Sequence, residues 1–378
     1  MKHRIVVLGA GYAGAHAAGR LARRLHPDDT QVTLVNADPD FVERIRLHQL
    51  AAGQDLPHRP LRDVFAGTPV ELLPAWVTGI DAERRTVVLG DREIPYETLV
   101  VALGSSTRVE PGRHHVSSRA AALRLRERLS ELSAGETVLV VGGGLTAIEA
   151  STEIAESRPD LQVRITARQG VGTWLSDKAQ HHLQAALSRL SITEVAEQQD
   201  AAVTVWTTGF SATPMAAGSG LTVSDVGRIV VDGTMRSVSH PDVYAVGDAA
   251  SAAGPDGRPM RMCCASAVPM AWRAADAIAE SLTGRRAKEL PLRYYGQCIS
   301  LGRRDGILQI TTADDKSTST VVTGRRAARI KEWVCSGAAW GTAHPTMMVP
   351  TRRRHIRSAP GASAGTTGRT GETAGNLR

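Results

Sequence analysis

Aromatic side chains are scarce, at 4% of 378 residues. The chain therefore lacks the stacking platforms that single-stranded nucleic acid needs, and no nucleic-acid partner is expected. Cysteine is rarer still. The four thiols, Cys263, Cys264, Cys298 and Cys335, form neither a C-x-x-C pair nor a zinc spacing, so no metal site is expected. Neighbouring Cys263 and Cys264 cannot bridge without backbone strain, and all four are read as reduced thiols of a cytoplasmic protein. No signal peptide is expected ahead of the first strand, and no apolar run nears membrane-spanning length. The stretch Ile330–Trp340 is amphipathic but short; it suits a core helix, a dimer contact or a membrane-surface contact.

Unbalanced charge is also missing from most of the chain. The net charge is +7, yet from Thr351 onward there are six arginines against the single acid Glu372. That leaves about +2 for the remainder, so the basic pI says little about partners. This Gly-, Ser-, Thr- and Arg-rich end cannot bury enough surface to offset ordering; residues 346–378 are expected to form a disordered basic tail. The rest, with 42% hydrophobic residues overall, suffices for two or three domains.

What is present is glycine in two special settings. Ile5–Leu8 is a four-residue apolar run, suited to a strand buried on both faces. Gly9, Ala10, Gly11, Tyr12, Ala13 and Gly14 follow in the order G-x-G-x-x-G, and a small-residue helix comes next. Gly9 permits a sharp turn, Gly11 lets backbone approach a pyrophosphate, and Gly14 lets helix and strand pack closely. The free N–H groups of the helix start then face phosphate. Thr137–Val141 leads in the same way into Gly142, Gly143, Gly144, Leu145, Thr146 and Ala147, a G-x-G-x-x-A fingerprint. Two fingerprints, each between strand and helix, form a strong dinucleotide signal.

The first unit ends at Asn36, where an acid usually binds the ribose. An amide can also bond ribose hydroxyls, Asp38 is a second candidate, and Asn36–Pro39 reads equally as a turn. The second unit ends in Ala167-Arg168 without an acid. Arg168 suits a 2′-phosphate, which tilts the reading toward NADPH, and suits a plain surface arginine equally well. A helix over Phe41–Ala52, strands over Trp76–Asp81, Leu99–Gly104 and Leu292–Tyr295, and helices over Val268–Leu282 and Ala327–Ser336 are expected.

These motifs, with Thr207-Thr208-Gly209 and Tyr244–Asp248, resemble the glutathione-reductase-like flavoproteins with two dinucleotide-binding domains. The branch around type II NADH dehydrogenases is the most similar. The resemblance implies an α/β fold of two Rossmann-like domains, the second inserted in the first, plus a small C-terminal α+β interface domain. The corresponding boundaries are 1–108 with 226–290 for FAD, 109–225 for NAD(P)H, and 291–345 for the interface domain. It implies FAD held by Gly9–Gly14, Asn36, Arg46, Val77, Ala102, Leu103, Gly104, Gly247 and Asp248. It implies NAD(P)H as co-substrate at Gly142, Gly144, Leu145, Thr146, Arg168 and Gly209. Gln297, in the domain that covers the flavin, is a candidate for touching flavin or acceptor. Glu149 would orient the carboxamide or merely stabilise its helix. His48 and Gln49 would face the flavin, His48 as a proton donor or as a packed histidine.

Three departures qualify the resemblance. Phe41–Leu50 holds no redox cysteine pair, the Cys263–Met270 segment holds no glutamine of the quinone-reducing type, and Ser191–Val203 has room for one strand only. The sequence thus reads as an FAD-dependent enzyme passing a hydride from NAD(P)H to flavin and on to a small acceptor, a quinone-like compound, a dye or oxygen. The competing readings are a flavin-dependent oxidase of an organic metabolite and an FAD-holding redox sensor or partner-binding protein. A homodimer is left open.

Overall fold

The computed structural model describes residues 1–107, 112–286, 291–348 and 352–357. The chain starts with strand β1 (His3–Leu8), helix α1 (Tyr12–Arg24) and strand β2 (Thr30–Asn36). Short helices α2 (Leu47–Ala51) and α3 (Leu61–Val64) lead to β3 (Val70–Pro74). A small antiparallel sheet follows, β4 (Gly79–Asp81), β5 (Thr86–Leu89) and β6 (Arg92–Pro95), and then β7 (Thr98–Val101) and β8 (Ser105–Thr107). Ile5, Val7 and Leu8 are fully buried, as their unbroken apolar run requires. β1 is the centre of a parallel sheet ordered β15-β7-β1-β2-β3, with β15 at Val243–Ala245. Strand order therefore reverses at β1, which opens a crevice at its carboxyl end.

The second unit repeats this plan. It contains α4 (Arg119–Ser130), β9 (Thr137–Val141), α5 (Leu145–Ser157), β10 (Gln162–Thr166), α6 (Asp177–Arg189), β11 (Thr193–Glu194) and β12 (Val203–Trp206). Its parallel sheet is ordered β11-β10-β9-β12, again reversing at the strand before the glycine turn. β11, two residues long, is the single strand for which the short Ser191–Val203 segment has room.

Strand β13 (Phe210–Ala212) pairs with β8 and joins the units. The chain then returns to the first unit through β14 (Ile229–Val230), β15, β16 (Ala250–Ser251) and α7 (Cys264–Leu282). α7 packs on α1 and starts four residues earlier than its apolar pattern indicates. The C-terminal part is an antiparallel sheet, β17 (Gly296–Ser300), β18 (Gly306–Thr311) and β19 (Ser317–Thr323), followed by α8 (Gly324–Ala343). No helix among the described residues is long and apolar enough to cross a membrane.

Four expectations need correction. Leu292–Tyr295 is not a strand: Leu292 and Tyr294 are anchored in the first unit's core, and pairing starts only at Gly296. Of Trp76–Asp81, only Gly79–Asp81 is strand. The helix over Phe41–Ala52 shrinks to a 3-10 turn at Arg44–Arg46 and α2. Phe41 belongs to the first core, whereas Leu47 and Leu50 belong to the second. The backbone leaves the helical region at Glu43 (φ −71°, ψ 70°), and the Phe41 N–H donates outside the segment, to the Arg59 carbonyl at 2.8 Å. Finally, part of the expected tail is tied down. Arg354 bridges to Leu25, Arg357 donates its N–H to the Leu282 carbonyl, and His355 meets Asp29 at 2.9 Å. Residues 358–378 lie outside the described residues.

Candidate functional site

The two glycine turns have the same construction. Gly9, at φ +91°, presses against the end of β7, and a Cβ there would sit 2.6 Å from the Ala102 carbonyl oxygen. A Cβ on Gly14 would meet the Gly9 oxygen at 1.8 Å, so helix and turn touch backbone to backbone. Gly11 differs: its Cβ direction is open, and it starts α1 without any side-chain cap. In the second turn a Cβ on Gly142 would collide with Thr207 Oγ1 at 2.2 Å, while Gly144 is open and starts α5 uncapped. Each turn thus presents open space to a helix start whose first N–H groups have no internal acceptor. Leu145 and Thr146 are half-buried in the first turn of α5, and Gly209, just after β12, is also open. Arg168 is exposed beyond β10, in the loop whose Gly170 oxygen packs on Gly143.

Around the first turn, Ala10 and Ala13 are buried. Tyr12 packs edge-on against Phe41 at 5.0 Å, and its buried hydroxyl has no hydrogen-bond partner among the described residues. Asn36 accepts the Ala10 N–H at 2.9 Å and donates to the Asp38 carbonyl. It braces the glycine turn, so the expected ribose contact is not its visible employment. Val77 is a core residue of the first unit. Ala102 and Leu103 lead to Gly104, at φ +73°, beyond which Ser105 donates to Asp248 at 2.6 Å. Gly247, at φ +64°, brings that carboxylate beside α1. Arg44 in turn donates to Ser105 at 3.0 Å. Arg44 thus reaches Asp248 through Ser105. Arg46 is consumed by Glu332 on α8 and by Glu43 at 3.0 Å, so it clips α8 to the segment before α2.

His48 and Glu149 do come together, in a buried centre where α2, α5, β17 and α8 converge. His48 Nδ1 lies 3.9 Å from Glu149 Oε2. Ser300 donates its N–H to Glu149 Oε1 at 3.1 Å, and its hydroxyl lies 3.4 Å from His48 Nε2. The partner that sequence reasoning missed is Lys331, whose Nζ lies 2.8 Å from Glu149 Oε1 and donates to the Cys298 carbonyl at 3.1 Å. Gln49 is buried, and among the described residues its side chain accepts one long bond, of 3.4 Å, from Arg46. Gln297 has both ends engaged, accepting from Trp174 Nε1 at 2.7 Å and donating to Asp315 at 3.0 Å. It fastens the C-terminal sheet to the second unit.

Electrostatics sort these groups. Burial alone would raise Glu149, but the Lys331 ammonium and then His48 hold it below the usual carboxylate range. Lys331 is correspondingly held charged, Glu149 outweighing its burial. Burial pushes His48 down to about 4, helped by Lys331, Arg303 and Arg46. The imidazole is therefore neutral at pH 7, which favours the packed-histidine reading over that of a proton donor. One turn further along α5, Glu153 is buried and raised to about 7.

Comparison with known proteins follows the same outline. A family model described as pyridine nucleotide-disulphide oxidoreductase matches residues 3–198 and 188–276. A type II NADH:quinone oxidoreductase of Staphylococcus haemolyticus is 25% identical over 394 residues, covering 90% of this chain and 96% of the relative. An NADH dehydrogenase-like protein of Mycobacterium tuberculosis is 29% identical over 345 residues, covering 79% and 86%. NDH2 from Plasmodium falciparum in complex with NADH superposes with a TM-score of 0.75 at 13% identity, covering 93% of this chain and 99% of that one. Sulfide:quinone oxidoreductase from Aquifex aeolicus gives 0.76 at 16% identity, covering 96% and 99%. These superpositions share the fold.

Proposed function

The chain belongs to the pyridine nucleotide-disulphide oxidoreductases, and on that premise we propose that it is an FAD-dependent NAD(P)H oxidoreductase reducing a quinone-class acceptor. The observation that carries this reading is the pair of open positions, Gly11 and Gly144, at uncapped helix starts beside the two strand-order reversals. Gly11 and the α1 start would hold the FAD pyrophosphate, and Asp248, fixed by Ser105 and Arg44, would hold ribityl hydroxyls. Gly144 and the α5 start would hold the nicotinamide dinucleotide. When bound, FAD would supply hydride acceptance from NAD(P)H and electron delivery to a second substrate.

The protein's own groups position and charge the site. Glu149 stays ionised because Lys331 and the Ser300 N–H hold it, so it can accept a hydrogen bond from a carboxamide. Neutral His48 supplies a hydrogen-bonding ring without adding charge. The four cysteines are free and none lies on α2, so dithiol exchange has no place in this chemistry. Quinone relatives by name support the acceptor class; exposed Arg168 supports acceptance of NADPH beside NADH.

Anaerobic mixing of the FAD-loaded protein with NADH or NADPH tests the reading. Rapid bleaching of the flavin band is expected, followed by reoxidation when a short-chain quinone is added. Protein that takes up no FAD, or flavin that neither nucleotide bleaches, would refute it. Reoxidation by oxygen but not by quinones would overturn the acceptor assignment.

A further inference from the structure

Four arginines line one open groove of about 500 Å³ in the C-terminal part of the chain. Arg303 and Arg304 come from the turn between β17 and β18, and Arg325 and Arg329 from the first two turns of α8. The two sets meet because α8 packs on β17 and β18. Ala328 and Glu332 complete the lining. Glu332 is the single acid there, and it is already engaged. Arg46 binds both of its oxygens, and Arg303 lies 3.0 Å from one of them. The neighbouring acids are engaged as well. Asp305 meets His182 at 2.8 Å and Arg189 at 2.5 Å, and Glu156 accepts the Arg303 N–H. Arg304, Arg325 and Arg329 have no ion pair and no side-chain hydrogen bond among the described residues.

Guanidinium groups crowded in this way repel one another, and the helix adds to the effect. α8 starts without a side-chain cap and without an acid in its first turn. Arg325 thus stands at the positive end of the helix dipole, the reverse of the favourable placement. A bound anion would relieve both repulsions. The shape of the site narrows its chemistry. Guanidinium forks pair bidentately with phosphate and carboxylate oxygens, and three unpaired forks around one space suit several such groups in a row. The volume lies within the range of small-molecule sites. Ala328 is the one apolar residue of the lining, so an acyl chain has little to pack on.

We propose that the groove between the β17–β18 turn and the start of α8 binds a soluble oligophosphate through Arg304, Arg325 and Arg329. The groove shares no residue with either glycine turn, so its occupancy should not depend on FAD or NADH.

The probe is inorganic triphosphate, titrated calorimetrically into the full-length protein, with FAD and without it, at about 0.15 M salt. One saturable site is expected in the FAD-loaded protein, unaffected by saturating NADH. Arg325→Gln and Arg329→Gln should each weaken binding several-fold, and the double variant at least tenfold. Arg329→Lys keeps the charge but loses the fork, and should also bind less tightly than wild type. These side chains are exposed, so the melting temperature should stay at the wild-type value. Arg62→Gln removes the same charge from an 81% exposed side chain on α3 and should leave the affinity unchanged. Absence of saturable binding, an equal loss in Arg62→Gln, or binding that survives the double variant would overturn the proposal. Vesicles of phosphatidylcholine with phosphatidylglycerol supply the last arm. Sedimentation with them that depends on Arg325 and Arg329 and is not competed by triphosphate would give the groove to a lipid surface and equally overturn it.

Discussion

Glu153 and His48 face the same buried region and should pull stability in opposite directions with pH. Glu153 is 1% exposed. Burial is the largest influence on it and raises it from 4.5 to about 7; Arg303 and its bond from Gln54 oppose this, and Glu156 and Glu149 reinforce it. A carboxyl raised on folding contributes stability that is complete below 4.5 and is lost as pH climbs through 7. At 1.36 kcal/mol per decade this amounts to roughly 3 kcal/mol. His48 moves the other way, from 6.5 to about 4, so its contribution is complete above 6.5 and is lost as pH falls through 4. Between pH 4.5 and 6.5 the two slopes nearly cancel. Glu153→Gln should therefore match wild type at pH 4.5 and exceed it by up to roughly 3 kcal/mol at pH 8. His48→Gln should show the reverse trend, gaining on wild type as pH falls from 6.5 to 4. Urea unfolding midpoints at half-unit pH intervals measure both. A Glu153→Gln difference that stays constant with pH, or that favours wild type at pH 8, would refute the assignment of a buried carboxyl raised by desolvation.

Lys331→Met should cost about 3–5 kcal/mol in urea unfolding, because it strands Glu149 as an unpaired buried charge; the double change Lys331→Met with Glu149→Met should recover most of it. Loss below about 1 kcal/mol in the single variant would contradict the pairing. Gly11→Val adds side-chain atoms into space where no protein atom lies within 4 Å of the Cβ position; it should leave melting of the apoprotein unchanged and weaken FAD retention at least tenfold. Gly9→Ala, at φ +91° and 2.6 Å from a carbonyl oxygen, should lower stability even without FAD. Arg168→Ala should raise KM for NADPH at least tenfold and leave KM for NADH nearly unchanged; equal effects would remove the 2′-phosphate role.

Legibility from sequence followed how local each determinant is. A strand, a glycine turn and a helix are neighbours in the chain, so both glycine turns could be read directly, and β9, β10 and β12 fall where their apolar runs lie. Glu149 was legible because it follows the second turn within one helical turn and a half. Lys331 was not, since its partner is 182 positions away on another element and a lysine on a helix ordinarily reads as solvated. One signal was available: the chain uses only five lysines among its 45 basic side chains. A compact ammonium amid Arg325, Arg326 and Arg329 marks a place where a guanidinium fork does not fit. Arg44 and Arg46 show the opposite limit. Two arginines two residues apart carry the same local signal, and only tertiary contacts send one to Asp248 through Ser105 and the other to Glu332.

The segment from Phe41 to Ala51 also ties the two units together. Phe41 packs on Tyr12 of the first glycine turn, and Leu47 and Leu50 lie in the core beneath the second. Between them Arg46 binds α8, and His48 closes the buried centre with Glu149. Eleven residues thus touch the first turn, the second unit and the C-terminal helix, at fixed spacing. A change in their backbone would displace the Glu149 centre relative to Gly11, the relation on which the proposed electron transfer would depend. The break in the expected helix is what allows Phe41 and Leu47 to face different cores, so restoring helix propensity there should separate the two glycine turns rather than stabilise the protein. Substituting Val42 and Glu43 together by alanine should accordingly slow anaerobic flavin reduction at least tenfold, with the FAD content of the protein unchanged. Reduction at the wild-type rate would show that the bridging geometry is not what aligns the site.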